Sequence, residues 1–188
     1  MITSSVHNNM PVIDKKWTVF LDRDGVINIE KEADYIRNWE EFKFYSGSAE
    51  AIASISNRVN RLFIVTNQKG VGKKLMTEGD LETIHLNMTE AVQRAGGHID
   101  KIYYCTDLND DSFFRKPNPG MGLKAKEEFP ETDFSKAIMV GNTMSDMQFG
   151  KTLGMFTVFI PSTKPMPQLP HPLVDIVCSD LASLAKAL

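Results

Sequence analysis

The chain has 188 residues, 42% of them hydrophobic and 24% charged, with a formal net charge of −3 at pH 7. This length suits one domain with a sizeable core, and the composition is ordinary for a soluble globular protein. The weak net charge disfavours nucleic acid as a partner, and the lack of any run of about 18 apolar residues disfavours a membrane span. The net charge is still compatible with a locally basic pocket for an anionic substrate.

The beginning of the chain and its cysteines bear on where the protein works. Residues 1–16 are polar, so we expect neither a secretory signal nor a membrane anchor there. We expect a flexible segment over residues 1–16 and one domain over residues 17–188. Cys105 and Cys178 are far apart and have no CxxC companion, which is typical of reduced cytoplasmic proteins. We therefore predict a cytoplasmic protein without disulfides. We also expect it to be a monomer.

The first predicted strand ends in two carboxylates. Thr18 to Leu21 form an apolar run that leads into Asp22, Asp24 and Gly25, which indicates a buried strand followed by a sharp turn. Two acids at such a place are costly unless a cation or a partner meets them. One aspartate can attack a phosphoryl group, a second can serve as general acid and then base, and Mg²⁺ can neutralise the crowded charge. The alternative is an ordinary strand-to-loop turn, for which Asp-Gly is common.

Residues 28–45 have no clean period and are rich in charged and aromatic side chains. We predict a loop or flap near the end of the first strand. We expect its aromatic side chains to pack in the core rather than to form a platform for a substrate, since large side chains dominate cores. They are Tyr35, Trp39, Phe42, Phe44 and Tyr45.

The rest of the chain alternates apolar runs with helical patterns. Near-continuous apolar strands between helices predict an α/β fold, a doubly wound parallel sheet without a cap or with only small loop insertions. His85 falls in the apolar stripe of the second predicted helix, so we expect a histidine in the core or at its edge rather than a metal ligand. Strands are predicted at 61–67, 99–105, 137–142 and 156–160, with a weaker one at 174–177, and helices at 46–57, 78–95, 122–129, 145–153 and 180–188.

Polar side chains cluster where the predicted strands end. Because ligands bind beyond the carboxyl ends of parallel strands, these side chains should meet and form a phosphoryl-transfer site. Donors at Thr66 and Asn67 suit phosphate oxygens, and a cation in the later loop can hold the phosphate beside the nucleophile. Taken alone, Asp146 has an alternative explanation as a charge at a helix N-terminus. The candidates are Asp22 and Asp24 after the first strand, Thr66, Asn67 and Gln68 at the second, Arg115 and Lys116 in the loop after the third, and Asn142 and Asp146 after the fourth.

In this order the motifs resemble those of the haloacid dehalogenase superfamily of phosphatases, over about residues 17–160. The chain is most similar to the small capless branch that contains D,D-heptose 1,7-bisphosphate phosphatase and the histidinol-phosphate phosphatase domain. Residues 103–105 and 115–121 match that branch well. The resemblance implies Asp22 as nucleophile, Asp24 as general acid/base and as a Mg²⁺ ligand through its backbone carbonyl, Thr66 and Asn67 as phosphate binders, and Lys116 as the charge-balancing lysine.

The resemblance also implies a substrate. It implies a Mg²⁺-dependent phosphomonoester hydrolase that forms an aspartyl-phosphate from a small sugar phosphate, with D-glycero-D-manno-heptose 1,7-bisphosphate first. Histidinol phosphate is the alternative substrate, and a non-catalytic phosphate-sugar binding protein of the same fold is the alternative function. Gln68 and Arg115 would contact the substrate, Arg115 at its distal part. Lys73, in the flexible basic loop 69–74, would meet a second phosphate, unless that loop is simply solvated.

Two positions depart from the family pattern. Relatives commonly carry a zinc loop with three cysteines and a histidine before the Arg-Lys-Pro motif, whereas only Cys105 remains here, so we expect no structural zinc. Asn142 stands where the family has a Mg²⁺-binding aspartate. An amide oxygen can still coordinate a cation but carries no charge, so we expect weaker Mg²⁺ binding, with Asn142 and Asp146 sharing one side of the metal.

Overall fold

A six-stranded sheet, parallel throughout, forms the centre of the protein. Its strands are β1 (Thr18–Leu21), β2 (Arg61–Asn67), β3 (Lys101–Cys105), β4 (Ala137–Gly141), β5 (Phe156–Phe159) and β6 (Ile176–Val177). The computed structural model describes residues 10–188. The strand order is β3-β2-β1-β4-β5-β6. The predicted doubly wound α/β fold is confirmed, and the order reverses between β1 and β4, where such sheets open a crevice beyond their carboxyl ends.

Helices cover both faces of this sheet. They are α1 (Ser48–Ser56), α2 (Lys69–Gly72), α3 (Glu78–Arg94), α4 (Gly120–Glu128), α5 (Met144–Leu153) and α6 (Leu181–Ala187). Thr77 caps α3 and forms a capping box with Asp80. Within residues 10–188, no helix combines the length and the apolar character needed to cross a membrane.

Two local predictions are wrong. Residues 69–72 form the short helix α2 where we expected a flexible loop. The first helix begins only at Ser48 and has no side-chain cap. Gly47 precedes it with φ of 76°, a left-handed backbone that glycine adopts without steric cost. Gly47 therefore sets the start of α1, two residues later than predicted.

Alternate residues of each central strand enter two separate cores. In β1, Val19 and Leu21 pack with the apolar faces of α1, α3 and α6. Phe20 points to the opposite face and packs with Met121 of α4 and Phe149 of α5. Because both faces of the sheet are covered, its strands read as continuous apolar runs. The apolar residues of each strand are buried between the helices, and the polar residues begin where the strand ends.

Both ends of the described chain pack on this domain. Ile13 joins the core on the α1 side, and Lys15 Nζ donates to Val59 O at 3.1 Å. Residues 1–9, most of the segment predicted to be flexible, lie outside the described residues. Beyond β5 the chain adds β6 to the sheet edge and returns as α6 against α1, with Leu184 in the same core. The C-terminal segment therefore wraps the sheet as part of the domain.

Replacing Leu184 with alanine should destabilise the protein by about 2–5 kcal/mol, because it removes a fully buried side chain from the core between α6 and α1. Leu123→Ala is the matched control, since Leu123 on α4 is 40% exposed. Urea unfolding followed by circular dichroism measures the free energy of unfolding of both variants. Equal losses would contradict the assignment of α6 to the core.

Candidate active site

A cleft of about 450 Å³ opens at the carboxyl ends of β1, β2 and β4. Its wall contains every predicted site residue except Lys73. The strand ends therefore meet as the parallel sheet requires. The predicted residues in the wall are Asp22, Asp24, Thr66, Asn67, Gln68, Arg115, Lys116, Asn142 and Asp146.

The floor of the cleft is a buried ion triplet. Lys116 Nζ lies 3.0 Å from Asp22 Oδ1 and 2.5 Å from Asp146 Oδ1. It donates a third hydrogen bond to Val65 O at 2.7 Å, so all three ammonium protons are used. The second Asp146 oxygen accepts from Thr143 N and Oγ1 and caps α5. Both oxygens of Asp146 therefore face protein donors, and its direct contact with a metal stays a prediction.

Burial and neighbouring charges shift the pKa values in this triplet. Burial, together with the Asp146 carboxylate, raises the pKa of Asp22 from 3.8 to about 7, although Lys116 acts to lower it. Burial also disfavours the charge of Lys116, but attraction to Asp146 and Asp22 outweighs it and raises the pKa of that ammonium. Lys116 therefore stays a cation, whereas Asp22 needs a further positive charge to be fully ionised at neutral pH.

Asp24 faces a different set of partners. Its carboxylate accepts two hydrogen bonds from Arg23 Nη2, at 2.9 and 3.0 Å, and one each from Asn28 and Gln68, both at 2.9 Å. Burial acts against the ionised form, yet the Arg23 charge and these donors outweigh it and lower the pKa of Asp24. The pKa values of Asp22 and Asp24 thus move in opposite directions, which separates their chemical roles.

Arg23 is fully buried and connects Asp24 to α3. Its Nη1 lies 3.2 Å from His85 Nε2, so the ring accepts this hydrogen bond as a neutral imidazole. Burial, followed by the Arg23 charge, lowers the pKa of His85 to about 3. The prediction of a core histidine is confirmed, and its ring also orients the arginine that holds Asp24.

The polar end of β2 is engaged largely in internal contacts. Gln68 Nε2 donates to Thr66 Oγ1 and to Asp24 Oδ2, both at 2.9 Å. Asn67 exchanges two hydrogen bonds of 3.0 Å with the backbone of Lys116. The Thr66 hydroxyl accepts from Gln68 and can still donate its own proton into the cleft. Contacts of Asn67 and Gln68 with a substrate stay predictions.

The structure separates the two cations that we expected to meet the distal part of a substrate. Arg115 Nε donates at 3.0 Å to Asp110 Oδ1, an oxygen that also accepts from Lys69 at 2.7 Å. Arg115 Nη1 is buried and has no partner among residues 10–188, so the guanidinium keeps a donor for a ligand. Lys73 is exposed at the end of α2, with its Nζ 5.2 Å from the centre of the Tyr35 ring. The structure therefore does not bring Lys73 into the cleft wall with the other candidates.

Asn142 lies at the end of β4, against the turn that follows β1. Its Nδ2 donates to Glu30 Oε2 and to Ser162 Oγ, both at 3.2 Å. Its Oδ1 is buried and has no hydrogen-bond partner in the part of the chain that the structure describes. Gly25, with φ of 85°, makes room for this amide, because a Cβ there would lie 1.9 Å from Asn142 Nδ2. An orphaned amide oxygen in a polar cleft can be satisfied by a water molecule or a hard cation.

The cleft offers oxygen ligands with little charge. Asp22 supplies a carboxylate and Asn142 supplies the orphaned amide oxygen, both of them ligand types that Mg²⁺ prefers. No group of three or more His, Cys, Asp or Glu side chains that could hold a metal ion occurs in residues 10–188. Within the cleft, Asn142 is neutral and the Asp24 carboxylate faces Arg23. These oxygens therefore fit a hard cation, held by few protein charges.

The sequence did not identify the flap residues that complete the cleft. Residues 28–45 were expected near the site, but their lack of a period gave no means of choosing among them. Backbone hydrogen bonds between residues 27–29 and 43–45 close the base of this flap. Trp39, Phe42 and Phe44 pack on one another, as predicted, whereas Tyr35 lines the cleft. The flap residues in the cleft wall are Glu30, Lys31, Asp34, Tyr35 and Ile36.

Comparison with known families and proteins gives consistent matches. The family described as polynucleotide kinase 3 phosphatase matches residues 18–158. The D-glycero-beta-D-manno-heptose-1,7-bisphosphate 7-phosphatase of Pseudomonas aeruginosa is 34% identical over 173 residues, which cover 90% of this chain and 96% of that protein. The D-glycero-alpha-D-manno-heptose-1,7-bisphosphate 7-phosphatase of Campylobacter jejuni is 38% identical over 146 residues, or 78% of this chain and 83% of that protein.

Solved structures extend the match to the fold. D,D-heptose 1,7-bisphosphate phosphatase from B. bronchiseptica, complexed with magnesium and phosphate, has a TM-score of 0.79 at 27% identity and covers 90% of this chain and 96% of that chain. A putative HAD-like phosphatase from Mesorhizobium loti has a TM-score of 0.74 at 24% identity, over 97% of this chain and 90% of that chain. The second match concerns the fold alone. Both cover most of the described sheet.

Replacing His85 with glutamine should make the free energy of unfolding less sensitive to acid. The pKa of His85 is about 3 in the folded protein and 6.5 in the unfolded chain, so the unfolded chain binds an extra proton below pH 6.5. Stability is therefore lost as the pH falls through 6.5. Between pH 7.5 and 5.0 the wild type should lose about 2 kcal/mol more than the variant, whose glutamine can still accept from Arg23.

Urea unfolding at both pH values measures this difference. His98→Gln, at an exposed histidine, is the control and should keep the contribution of His85. The same pH dependence in wild type and in His85→Gln would refute a buried neutral histidine at this position.

Proposed function

Because the chain belongs to the polynucleotide kinase 3 phosphatase family of haloacid dehalogenase-like phosphatases, we propose that it removes the 7-phosphate from D-glycero-D-manno-heptose 1,7-bisphosphate. Relatives that match most of this chain carry that activity in their names. The buried triplet of Asp22, Lys116 and Asp146 is the observation that supports the proposal most directly. It puts a carboxylate that can act as a nucleophile beside a fixed cation in an open cleft.

The reaction would take place in two displacements at Asp22. In the first, an Asp22 oxygen bonds to phosphorus as the bond from phosphorus to the sugar oxygen breaks, and Asp24 gives that oxygen a proton. In the second, water attacks the aspartyl-phosphate, Asp24 takes the proton of the water, and inorganic phosphate leaves with Asp22 restored. The charge of Lys116 and the hydroxyl of Thr66 would stabilise the phosphate oxygens during both steps.

The surroundings of Asp24 suit the second displacement in particular. Arg23, Asn28 and Gln68 all donate to its carboxylate and lower its pKa, so Asp24 is ionised before substrate arrives. An ionised carboxylate is ready to take a proton from water. For the first displacement Asp24 must take up a proton as the substrate binds.

A divalent cation fits the charge balance of the cleft. Asp22, Oδ1 of Asn142 and the backbone carbonyl of Asp24 would hold Mg²⁺, with Asp146 beside them. Bound there, Mg²⁺ would reduce the repulsion between the substrate phosphate and the Asp22 carboxylate. Burial and Asp146 raise the pKa of Asp22 to about 7, so a nearby cation would also favour its ionised, nucleophilic form. The relative solved with magnesium and phosphate supports this choice of cation.

The outer cleft carries groups that suit a sugar bisphosphate. Arg115 has a buried Nη1 without a partner among residues 10–188, and Lys31, paired with Glu41 at 2.8 Å, lines the same cleft. These two cations can meet a second phosphate. Glu30 and Asp34 present carboxylates that can accept hydrogen bonds from sugar hydroxyls.

Asp22→Asn should abolish phosphate release, because an amide oxygen cannot replace the carboxylate nucleophile. The assay follows inorganic phosphate from both anomers of the heptose 1,7-bisphosphate, from other sugar phosphates and from histidinol phosphate, with Mg²⁺ present. Asp111→Asn is the matched control, since it makes the same chemical change at an exposed aspartate.

Each outcome of this panel decides between functions. Release from the heptose bisphosphate that is lost only in Asp22→Asn supports the proposal. Faster release from histidinol phosphate assigns that substrate instead. Binding of phosphorylated sugars without release from any of them indicates a non-catalytic binding protein.

Arg115→Ala should raise KM for the bisphosphate about 10-fold more than KM for a heptose 7-phosphate, because one charge-assisted hydrogen bond to the second phosphate is lost. Lys73→Ala should change the two KM values equally, since its side chain lies outside the cleft wall. Steady-state kinetics of both variants with both substrates test this. A selective effect in Lys73→Ala alone would reverse the assignment.

A further inference from the structure

Asn142 poses a problem of orientation for the cation site. A carboxylate at this position would present oxygen whichever way it turned, whereas an amide presents either oxygen or a positively polarised NH₂ group. Only the oxygen can ligate Mg²⁺. Something in the protein must therefore hold the amide in one of its two orientations.

The contacts of Asn142 provide that hold. Three acceptors surround its Nδ2, with Glu30 Oε2 and Ser162 Oγ both at 3.2 Å and Thr163 Oγ1 at 3.5 Å. Of these, Glu30 alone carries a negative charge, which selects the NH₂ group and repels the amide oxygen. Oδ1 is the one polar atom of this side chain left without a partner in the described chain, and it is buried.

Glu30 is itself fixed in place. Thr163 Oγ1 donates to Glu30 Oε2, and Lys164 Nζ lies 3.0 Å from Glu30 Oε1. The carboxylate is thus held between the flap and the segment that follows β5, and it still lines the cleft. A carboxylate held through both of its oxygens can orient a neighbouring ligand at little further entropic cost.

We infer that Glu30 is a positioning residue for the divalent cation: by accepting from Asn142 Nδ2 it directs Oδ1 towards the metal. The inference rests on the proposed cation-dependent function. The hydrogen bond to a carboxylate also draws electron density towards Oδ1, which makes the amide a better ligand. Glu30 additionally places a negative charge near the position where Asn142 lacks one.

The inference predicts that the effect of Glu30 changes with the residue at position 142. In the wild type, Glu30→Gln should weaken Mg²⁺ binding by about 10-fold or more, as is typical when the partner of a metal ligand is lost. In Asn142→Asp the ligand no longer needs orienting, and Glu30 would face a second carboxylate. Glu30→Gln in that background should leave Mg²⁺ binding unchanged or make it tighter.

Isothermal titration calorimetry of the full chain with Mg²⁺ tests this. The four proteins compared are the wild type, Glu30→Gln, Asn142→Asp and the double variant. Glu32→Gln is the matched control, because it removes the same charge from an exposed residue of the flap. Lys164→Gln is a second control, since it removes the ion pair but leaves the acceptor on Glu30. Urea midpoints of all variants verify that each is folded.

Loss of affinity in the wild-type background alone supports the inference. An equal loss of Mg²⁺ affinity in both backgrounds would mean that Glu30 acts only through its charge, which would overturn the inference. No loss of affinity in either background would overturn it as well. Absence of Mg²⁺ binding by the wild type would overturn it as well. Binding is measured without substrate, so failure to hydrolyse the heptose bisphosphate would count against the proposed function and not against this coupling.

Discussion

The buried ammonium of Lys116 is the interaction on which the site depends. It lies between Asp22 and Asp146 and uses its third proton on the backbone of β2. Two carboxylates this close repel each other strongly in a poorly solvated interior, and removing one member of a buried ion pair typically costs about 3–5 kcal/mol. The partners of Lys116 come from the end of β1, from β2 and from α5, so the charges can be satisfied only when these elements are in register. The parallel sheet and the ion triplet therefore stabilise each other.

The two carboxylates of the turn after β1 differ in their partners. The side chain of Arg23 is fully buried, and its guanidinium contacts Asp24 and His85. The turn is thus held on one side by Lys116 and on the other by α3. The pKa of Asp22 is raised to about 7 while that of Asp24 is lowered, although only one residue separates them. A single turn can in this way supply both a nucleophile and a proton carrier.

The sheet and most of the cleft could be predicted because their signals are local. Apolar runs mark the strands, polar residues mark where they end, and a parallel sheet brings those ends to one edge. The remaining contacts depend on the closed structure. Glu30 and Asn142 are 112 residues apart, and no local sequence pattern in either segment indicates that the two side chains meet. The glycine-rich surroundings of Lys73 indicate a flexible loop, whereas residues 69–72 form a helical turn and Lys73 is not part of the cleft wall.

Asp110 gives the edge of the cleft a property that a bare basic patch would lack. Its exposed carboxylate is shared by Lys69 and Arg115, and it engages only the Nε side of the guanidinium. A free arginine loses about 1.5–2 kcal/mol of side-chain entropy when it is immobilised. The Asp110 contact already restricts the Arg115 side chain, so in the proposed function part of that ordering would take place when the chain folds and not when the ligand binds. One acidic side chain thus orders in advance the arginine that we propose as the contact to a second phosphate.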